Sequence, residues 1–313
     1  MTVKRVALVS NMHEQCGNAA YGRDLVRELQ KHFESVFMGH ENDVPYPVDV
    51  VIFNWHPARV ELSPEKILHA KEMGAKTIVI YQNSHEERLE IEPGHALSLA
   101  DAVVTHEPMN SAIDFHVIPH GIVEVDRLPE VSADMFFGTA GFPFDWKRYD
   151  VVAEAARRYN VRCLMIAPKS DQSDTDAFMD GIAGHLGGLA DIRRNWMTVD
   201  EVVRELATAT LNIFWYQSRC PDDMLGQSGS VRMGIAAKRP TIISTHRKLR
   251  TLQRYSDELY IAEAEEDVYN HIDTILSDLD NAKRPLNLMK DQGWSHTGAM
   301  YAELINTVVD GSR

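Results

Sequence analysis

Short runs of apolar residues recur along the chain, and most are followed by a stretch with helical spacing or by turn residues. Between the first two runs, Leu25, Val26, Leu29 and Phe33 fall on one face of a helix. Strands that are apolar throughout and alternate with helices are typical of a parallel sheet covered on both faces. In the first part of the chain the pattern predicts strands at Val3–Val9, Ser35–Met38, Val48–Phe53, Lys76–Tyr81, Ala102–Thr105 and His116–Ile118.

The same pattern starts again in the second part, after a polar segment at Ile122–Asp134 that has one proline and no clear period. Helical spacing recurs there at Tyr149–Tyr159 and Thr198–Thr208. We therefore expect an α/β protein with two doubly wound domains, residues 1–122 and 134–294. The strands predicted in the second domain are Met135–Gly138, Arg162–Ile166, Leu211–Tyr216, Thr241–Ser244 and Glu258–Ile261.

Composition narrows the class of protein. A length of 313 residues suits two domains of ~100–200 residues each. The net charge of −14 disfavours binding to a phosphate backbone or to anionic lipid, unless the basic residues are clustered. Three cysteines without a C-x-x-C pair exclude a disulfide scaffold and suit a reducing compartment. No apolar run reaches the ~18–20 residues of a membrane span, and the first residues lack a signal-peptide pattern, so we expect a cytoplasmic protein.

Ligands of doubly wound sheets bind at the carboxyl ends of the strands, so the loops after the predicted strands hold the candidate residues. The loop after the first strand leads through Gly17 and Asn18 into a helix. Small residues there would let backbone N–H groups approach a ligand at a helix N-terminus. The G-x-G-x-x-G pattern is absent, and an ordinary loop before a helix explains this segment equally well.

A second loop, Gly226-Gln-Ser-Gly-Ser230, opens a predicted helix that stops at Lys238-Arg-Pro. The N–H groups of Ser228, Gly229 and Ser230 at the positive helix end would suit a diphosphate. The loop lacks both the Gly-Lys-Ser/Thr of a P-loop and the second glycine of a nucleophile elbow. An anion site and a plain helix cap are equally compatible with this pattern.

A third loop, Gly141-Phe-Pro-Phe-Asp-Trp-Lys147, follows another predicted strand. It brings Lys147 and Arg148 to the entrance of a helix, where the macrodipole disfavours a cation. A bound anion beside Lys147 would offset that penalty. A solvated lysine is the alternative.

Taken in order, these segments resemble retaining glycosyltransferase family 4, whose GT-B fold has two Rossmann-like domains. The likeness extends over nearly the whole chain and implies that residues 295–313 form a helix that returns to the N-terminal domain. The motifs that carry it are Cys16-Gly-Asn-Ala-Ala-Tyr-Gly-Arg-Asp-Leu25, Val117-Ile-Pro-His-Gly121, Gly141-Phe-Pro-Phe-Asp-Trp-Lys147, Ser228-Gly-Ser-Val-Arg-Met-Gly-Ile-Ala-Ala-Lys-Arg-Pro240 and Gly293-Trp-Ser-His-Thr-Gly-Ala-Met-Tyr301.

The resemblance implies transfer of a sugar, with retention and without a metal or other cofactor, from a nucleotide-sugar donor. The acceptor would be a glycan, a lipid-linked sugar or a small molecule. The catalytic residues would be His85, Lys147 and Asp223. The acceptor-binding residues would be His56, Gln82 and His106. The donor-binding residues would be Gly17, Asn18, Phe142, Lys147, Lys169, Gln227, Ser228, Gly229, Ser230 and Arg232.

Some family positions are occupied by other residue types, which keeps two alternatives open. The family's phosphate-clamp arginine falls on Phe142, and its two glutamates fall on Leu225 and Met233, although Asp222 or Asp223 could substitute. A non-catalytic nucleotide-sugar-binding protein would tolerate these losses. A DNA-base glycosyltransferase would need a basic face, and the chain offers only two clusters, Arg193-Arg194-Asn-Trp196 and Arg247-Lys-Leu-Arg250 with Arg254.

Two D-x-D patterns, Asp174-Thr-Asp176 and Asp278-Leu-Asp280, match the metal signature of another glycosyltransferase architecture. Both lie away from the predicted strand ends. Helix capping and solvated charge are the favoured explanation. We therefore expect no metal site.

Overall fold

The computed structural model describes residues 4–56, 60, 62–82, 94–108, 113–169, 175–217 and 228–311. These residues form two compact units. Unit 1 contains the described residues up to Gly121 and from Gln292 onward, and unit 2 contains the described residues from Ile122 to Asp291.

Unit 1 is a six-stranded parallel sheet with helices. Its strands β3 and β4 are almost continuous runs of β-branched and aromatic residues, as expected for strands buried on both faces. The spatial order is β2-β1-β3-β4-β5-β6. The elements are β1 Arg5–Val9, α1 Gly17–Leu29, β2 Ser35–Gly39, β3 Val50–Trp55, α2 Pro64–Glu72, β4 Lys76–Tyr81, α3 Gly94–Leu99, β5 Ala102–Thr105, β6 His116–Val117 and α11 Trp294–Asp310.

Unit 2 is a second six-stranded parallel sheet, in the order β12-β11-β10-β7-β8-β9. Two apolar clusters cover its faces, one beneath α6 and α7 and one beneath α4, α5 and α9. The elements are β7 Phe136–Ala140, α4 Tyr149–Tyr159, β8 Arg162–Ile166, α5 Asp176–Leu186, β9 Ala190–Arg193, α6 Val199–Ala207, β10 Leu211–Phe214, α7 Gly229–Ala236, β11 Thr241–Ser244, α8 Arg250–Gln253, β12 Tyr260–Ala262, α9 Glu265–Ser277 and α10 Leu286–Gln292.

The predicted α/β class with two doubly wound parallel sheets is confirmed, and each of the eleven predicted strands is present. One strand was missed. β9 is a half-buried edge strand of four residues, and two of them, Asp191 and Arg193, are charged. Asp191 forms ion pairs with Arg162 of β8 at 3.3 Å and with Arg193 at 3.4 Å. These ion pairs stabilise the strand. It has no apolar run, which is the pattern by which the other strands were predicted.

The strand order reverses between β1 and β3 in unit 1, and between β7 and β10 in unit 2. At such a switch point the loops leave in opposite directions from the carboxyl ends of two neighbouring strands, and a crevice opens between them. The loops after β7 and β10 therefore define the expected ligand site of unit 2. In unit 1 the loops after β1 and β3 occupy the equivalent position.

The polar segment between the two predicted domains is ordered as part of unit 2. Ile122 and Val125 are buried in its core. Two arginines donate to backbone carbonyls of the segment, Arg204 to Arg127 O at 2.6 Å and Arg239 to Pro129 O at 3.1 Å. These hydrogen bonds satisfy two backbone carbonyls of a segment that forms no helix.

The last helix, α11, packs on α1 within unit 1. The Tyr21 and Tyr301 hydroxyls share a buried hydrogen bond of 2.8 Å. Gly298 permits the close approach, because an added methyl carbon there would lie 2.6 Å from Glu28 Cβ. Across the described ranges, no helix combines the length and apolar character needed to cross a membrane.

Candidate functional site

The Lys147 side chain joins the two loops of the unit 2 switch point. A short 3-10 turn, Asp145–Lys147, follows β7 and directs this side chain inward, where the residue is 7% exposed. Its Nζ donates to Ser230 Oγ in the first turn of α7 at 3.1 Å. The ammonium also lies 5.3 Å and 5.7 Å from the ring centroids of Trp146 and Tyr216. A cation is therefore held between the end of β7 and the helix that follows β10.

Gly141 makes room for this contact. Its φ of +119° is a conformation that residues with a side chain rarely adopt. A methyl carbon on Gly141 would overlap Ser230 Oγ and lie 2.6 Å from Lys147 Nζ. The Tyr149 hydroxyl donates to the Gly141 carbonyl at 2.5 Å, and this hydrogen bond stabilises the turn. Only glycine at this position leaves space beside the Lys147 ammonium. We call the site formed by Gly141, Lys147 and Ser230 the cradle.

The N-terminus of α7 supplies the second source of positive potential. Ser228 is the N-cap, its Oγ accepts from Val231 N at 3.4 Å, and it shares a hydrogen bond of 2.8 Å with the Tyr216 hydroxyl. Gly229 is exposed, and an added methyl carbon there would meet no atom of the described residues within 4 Å, so these residues leave the helix start open on that side. First-turn N–H groups have no partner within a helix, and the macrodipole makes them attractive to an anion. The arrangement suits a phosphate group.

Burial sets the electrostatics of this cradle. Removal from water, together with the nearby Lys248 charge, lowers the pKa of Lys147 to about 7. Lys248 Nζ lies 5.5 Å from the centroid of the same Trp146 ring. Burial also raises the pKa of Tyr216, which keeps its hydroxyl protonated near neutrality. A bound anion would restore the full charge of Lys147.

Aromatic side chains line the loop after β7. The Phe142 ring centroid lies 6.0 Å from Phe144 and 5.8 Å from Trp196. Trp146 stacks on His246 at 6.0 Å with an interplanar angle of 21°. Phe142 stands where the family that this sequence resembles has a cationic phosphate-clamp residue. Its ring instead contributes a flat apolar surface.

Arg148 does not replace the missing clamp cation. Its guanidinium forms ion pairs with Asp150 at 2.9 Å and Glu265 at 2.7 Å, and it also donates to Gln217. These partners hold the pKa of Arg148 above its usual value, with the Asp150 hydrogen bond as the largest cause. Among the cations of this loop, Lys147 is the one buried in the cradle.

The other predicted donor residues of unit 2 are less closely grouped. Arg232 is buried within α7. Lys169 follows β8, one strand away from β7, and its exposed ammonium pairs with Asp176 at 3.0 Å. His85, Asp223 and Gln227 lie outside the described residues.

In unit 1, the predicted residues stand at the ends of four strands. Gly17 and Asn18 begin α1 after β1, and His56 follows β3. Gln82 and His106 are buried at the ends of β4 and β5, and Gln82 Oε1 lies 3.2 Å from His106 Nε2. The structure thus brings together two of the three predicted acceptor residues.

Sequence reasoning missed two residues of this edge, Ser10 and Asn54. Asn54 Nδ2 donates to Ser10 Oγ at 2.9 Å and to the Asn18 carbonyl at 3.0 Å, and its Oδ1 accepts from Gln82 Nε2 at 2.7 Å. A usable signal was present, since an amide side chain stands inside the otherwise apolar run Val50–Trp55. Buried amides require hydrogen-bond partners, so such a residue marks a polar network.

One of the two basic clusters noted in the sequence is neutralised by neighbouring carboxylates. Arg193 and Arg194, one of the two basic clusters, are paired with Glu205 at 2.7 Å and Asp176 at 2.6 Å, so they present no unneutralised basic face. Within the part of the chain that the structure describes, no three His, Cys, Asp or Glu side chains are grouped to hold a metal ion.

No family model and no curated protein sequence matches this chain. Known structures do match over nearly its full length. The sucrose-phosphate synthase of Thermosynechococcus elongatus has a TM-score of 0.72 and 12% identity, with 99% of this chain and 100% of that chain covered. A glycosyltransferase from Rickettsia africae has a TM-score of 0.70 and 15% identity, with complete coverage of both chains.

A third similar structure is Anabaena HepE in complex with UDP, which has a TM-score of 0.63 and 10% identity over 98% of both chains. HepE is also known in complex with UDP-glucose. Together with the two six-stranded parallel sheets, these similarities define the fold of the chain as GT-B, with two Rossmann-like domains.

Proposed function

We propose that this chain is a retaining, metal-independent glycosyltransferase of family 4 type that takes a nucleotide sugar, with a UDP-sugar as the leading candidate. The observation that carries the proposal is the buried Lys147 ammonium beside Ser230, at the open N-terminus of α7 and at the switch point of unit 2. The UDP and UDP-glucose complexes of HepE support uridine as the first base to test.

Sugar transfer from a nucleotide requires a positively charged site of this kind. When a sugar leaves its nucleotide, the bond between the anomeric carbon and the phosphate oxygen breaks, and negative charge builds up on the diphosphate. Positive groups fixed in advance where that charge develops lower the barrier, typically by several kcal/mol for one donor. Lys147 and the first-turn N–H groups of α7 are placed for this role. No divalent cation is needed to balance the charge in this scheme.

The acceptor would bind at the carboxyl edge of the unit 1 sheet. His56 is half-buried at the end of β3, and the buried amide and imidazole of Gln82 and His106 support the neighbouring strand ends. These polar side chains suit hydroxyl groups of a glycan, a lipid-linked sugar or a small molecule.

A second candidate, a nucleotide-sugar-binding protein without transferase activity, is favoured by one observation. Met233, which stands where the resembling family has a glutamate, packs against the apolar core beneath α7. The chain therefore has no carboxylate at that position. Binding alone would satisfy both candidates, so the reaction itself must be measured.

Slow hydrolysis of UDP-glucose distinguishes the candidates. The chain would be incubated with the donor and EDTA, and the released sugar followed by proton NMR. A retaining transferase should release glucose as the α-anomer before mutarotation. Release of the β-anomer would contradict retention, and binding without any release would favour the non-catalytic candidate.

We expect the affinity for UDP-glucose to fall as pH rises through 7. The unliganded Lys147 has a pKa of about 7, and the bound diphosphate favours its charged form, so binding takes up a proton above that pH. Linkage allows at most about a tenfold loss of affinity per pH unit. Calorimetry between pH 6 and pH 9 measures the slope. The Lys147→Met variant should lack this slope, and the same slope in both proteins would contradict the assignment.

A further inference from the structure

The contact between Lys147 and Ser230 joins an amine and a hydroxyl that can act as base and nucleophile. Lys147 Nζ lies 3.1 Å from Ser230 Oγ, within the reach that general-base catalysis needs. Lys147 is 7% exposed, whereas Ser230 is a partly exposed residue in the first turn of α7. A serine hydroxyl becomes a nucleophile when a base at this distance takes up its proton. The cradle therefore holds the two groups that acyl transfer requires.

Lys147 can serve as the base near neutral pH. Burial, together with the charge of Lys248, lowers the pKa of Lys147 to about 7, so about half of the chains carry a neutral amine at that pH. A neutral amine has a lone pair that accepts a proton. The hydrogen bond between Nζ and Oγ then reverses its direction, and Ser230 becomes the donor.

Tyr216 holds the serine in place. Its hydroxyl is hydrogen-bonded to Ser228 at 2.8 Å and also to Ser230. Burial raises the pKa of Tyr216, so the phenol stays protonated near neutrality and does not act as a competing base. Ser230 Oγ is thus fixed between an amine and a phenol before any ligand binds.

The first turn of α7 supplies donors for the oxygen that becomes negative during acyl transfer. The first N–H groups of a helix have no partner within it, and those of Gly229 and Ser230 stand beside the serine hydroxyl. Fixed N–H groups of this kind stabilise the oxyanion of the transition state, and each contributes a factor of roughly 10²–10³ in rate. The helix start therefore suits a carbonyl group that Ser230 attacks.

We propose that Ser230 and Lys147 form a serine–lysine dyad that accepts an acyl group from a carboxylic ester. Lys147 takes the Ser230 proton as the bond between Oγ and the carbonyl carbon forms. The bond from that carbon to the alcohol oxygen then breaks, and the alkoxide takes the proton from Lys147, which gives acyl-Ser230 and a free alcohol. Water releases the acid by the same route. The partly exposed rings of Phe142 and Phe144, which follow Gly141, favour an apolar acyl group.

The dyad and donor binding depend on pH in opposite ways. The neutral amine is the active form of the base, so acylation should become about tenfold faster between pH 6 and pH 8, whereas a bound diphosphate favours the ammonium. Burial raises the pKa of the two nearby tyrosines, which stay neutral over this range. The titratable and charged groups around Lys147 are His246 and Lys248 after β11, Tyr216 after β10, Tyr149 in α4, and Asp145 and Arg148 beside it in the chain.

The test is labelling of the unliganded full chain with an alkyl fluorophosphonate, followed by peptide mass spectrometry. Its phosphorus takes the place of the carbonyl carbon: the bond from Ser230 Oγ to phosphorus forms, fluoride leaves, and the adduct is stable. We expect one label, on Ser230, and a labelling rate that rises about tenfold between pH 6 and pH 8. An unlabelled Ser230 at pH 8, or labelling of another residue in its place, would overturn the proposal.

Two lysine variants test whether Lys147 is the base. Lys147→Met removes the amine and nearly keeps the length of the side chain, so labelling of Ser230 at pH 8 should become at least about 100-fold slower. Lys290→Met removes an exposed lysine of α10 and should leave the rate unchanged. Equal rates in the two variants would contradict the dyad. The labelling needs no nucleotide, so a chain that never binds UDP-glucose would still give it, and the two proposals fail separately.

Discussion

Replacing Lys147 by methionine is expected to weaken UDP-glucose binding by roughly 10- to 150-fold. The substitution removes a charge-assisted hydrogen bond to the diphosphate, which contributes about 1.5–3 kcal/mol. Methionine nearly matches the length of the lysine stem, so the cradle beside Gly141 should stay filled. Burying a charge is unfavourable in the free chain, so the melting temperature without ligand should stay the same or rise. Calorimetry and thermal unfolding of the variant measure both effects.

Lys290→Met is the matched control. Lys290 is exposed on α10, in the same unit as Lys147. The Lys290→Met substitution removes the same charge from the chain, so a general electrostatic effect on an anionic donor would appear in both variants. Equal affinity losses in the two variants, or wild-type affinity in Lys147→Met, would contradict a direct role for Lys147.

Gly141→Ala is expected to abolish measurable donor binding and to lower the melting temperature. The added methyl carbon overlaps Ser230 Oγ and approaches Lys147 Nζ to 2.6 Å. The alanine must also adopt a φ of +119°. The ammonium and the first turn of α7 must then move apart, which destroys the cradle. Thermal unfolding and calorimetry of the purified variant test the two expectations together.

The control variant for Gly141→Ala is expected to change the melting temperature in the opposite direction. Gly181 lies inside α5, and an added methyl carbon there meets no atom of the described residues within 4 Å. Alanine is favoured over glycine in a helix interior by roughly 0.5–1 kcal/mol, so Gly181→Ala should raise the melting temperature slightly and leave binding unchanged. Donor binding retained in Gly141→Ala would show that the cradle is not the anion site.

The strands were predictable because most are buried runs whose apolar character is local information. α4 begins and ends where its spacing predicted, at Tyr149 and Tyr159. β9 was not predictable in this way, because Asp191 and Arg193 are supported by ion pairs to residues far away in sequence. A pattern of apolar positions carries no information about such pairs.

The candidate site was predictable only in part, for a similar reason. Lys147 and Ser230 stood out because each lies at a helix entrance after a predicted strand. Their contact joins residues 83 positions apart and depends on the order of β7 and β10 in the sheet. The hydrogen bonds of Asn54 and His106 include a carbonyl of Asn18 and a carbonyl of Ile118, and backbone carbonyls leave no trace in a sequence.

The most direct test of the donor site is calorimetric titration of the unmodified chain with UDP-glucose in the presence of EDTA, followed by the GDP-, ADP-, TDP- and CDP-sugars. We expect saturable binding of one nucleotide sugar to one site per chain, without a divalent cation. The bound donor should also raise the melting temperature, as ligand linkage requires. Absence of binding for every nucleotide sugar would contradict the claim that the cradle at Lys147 and α7 is a donor-diphosphate site.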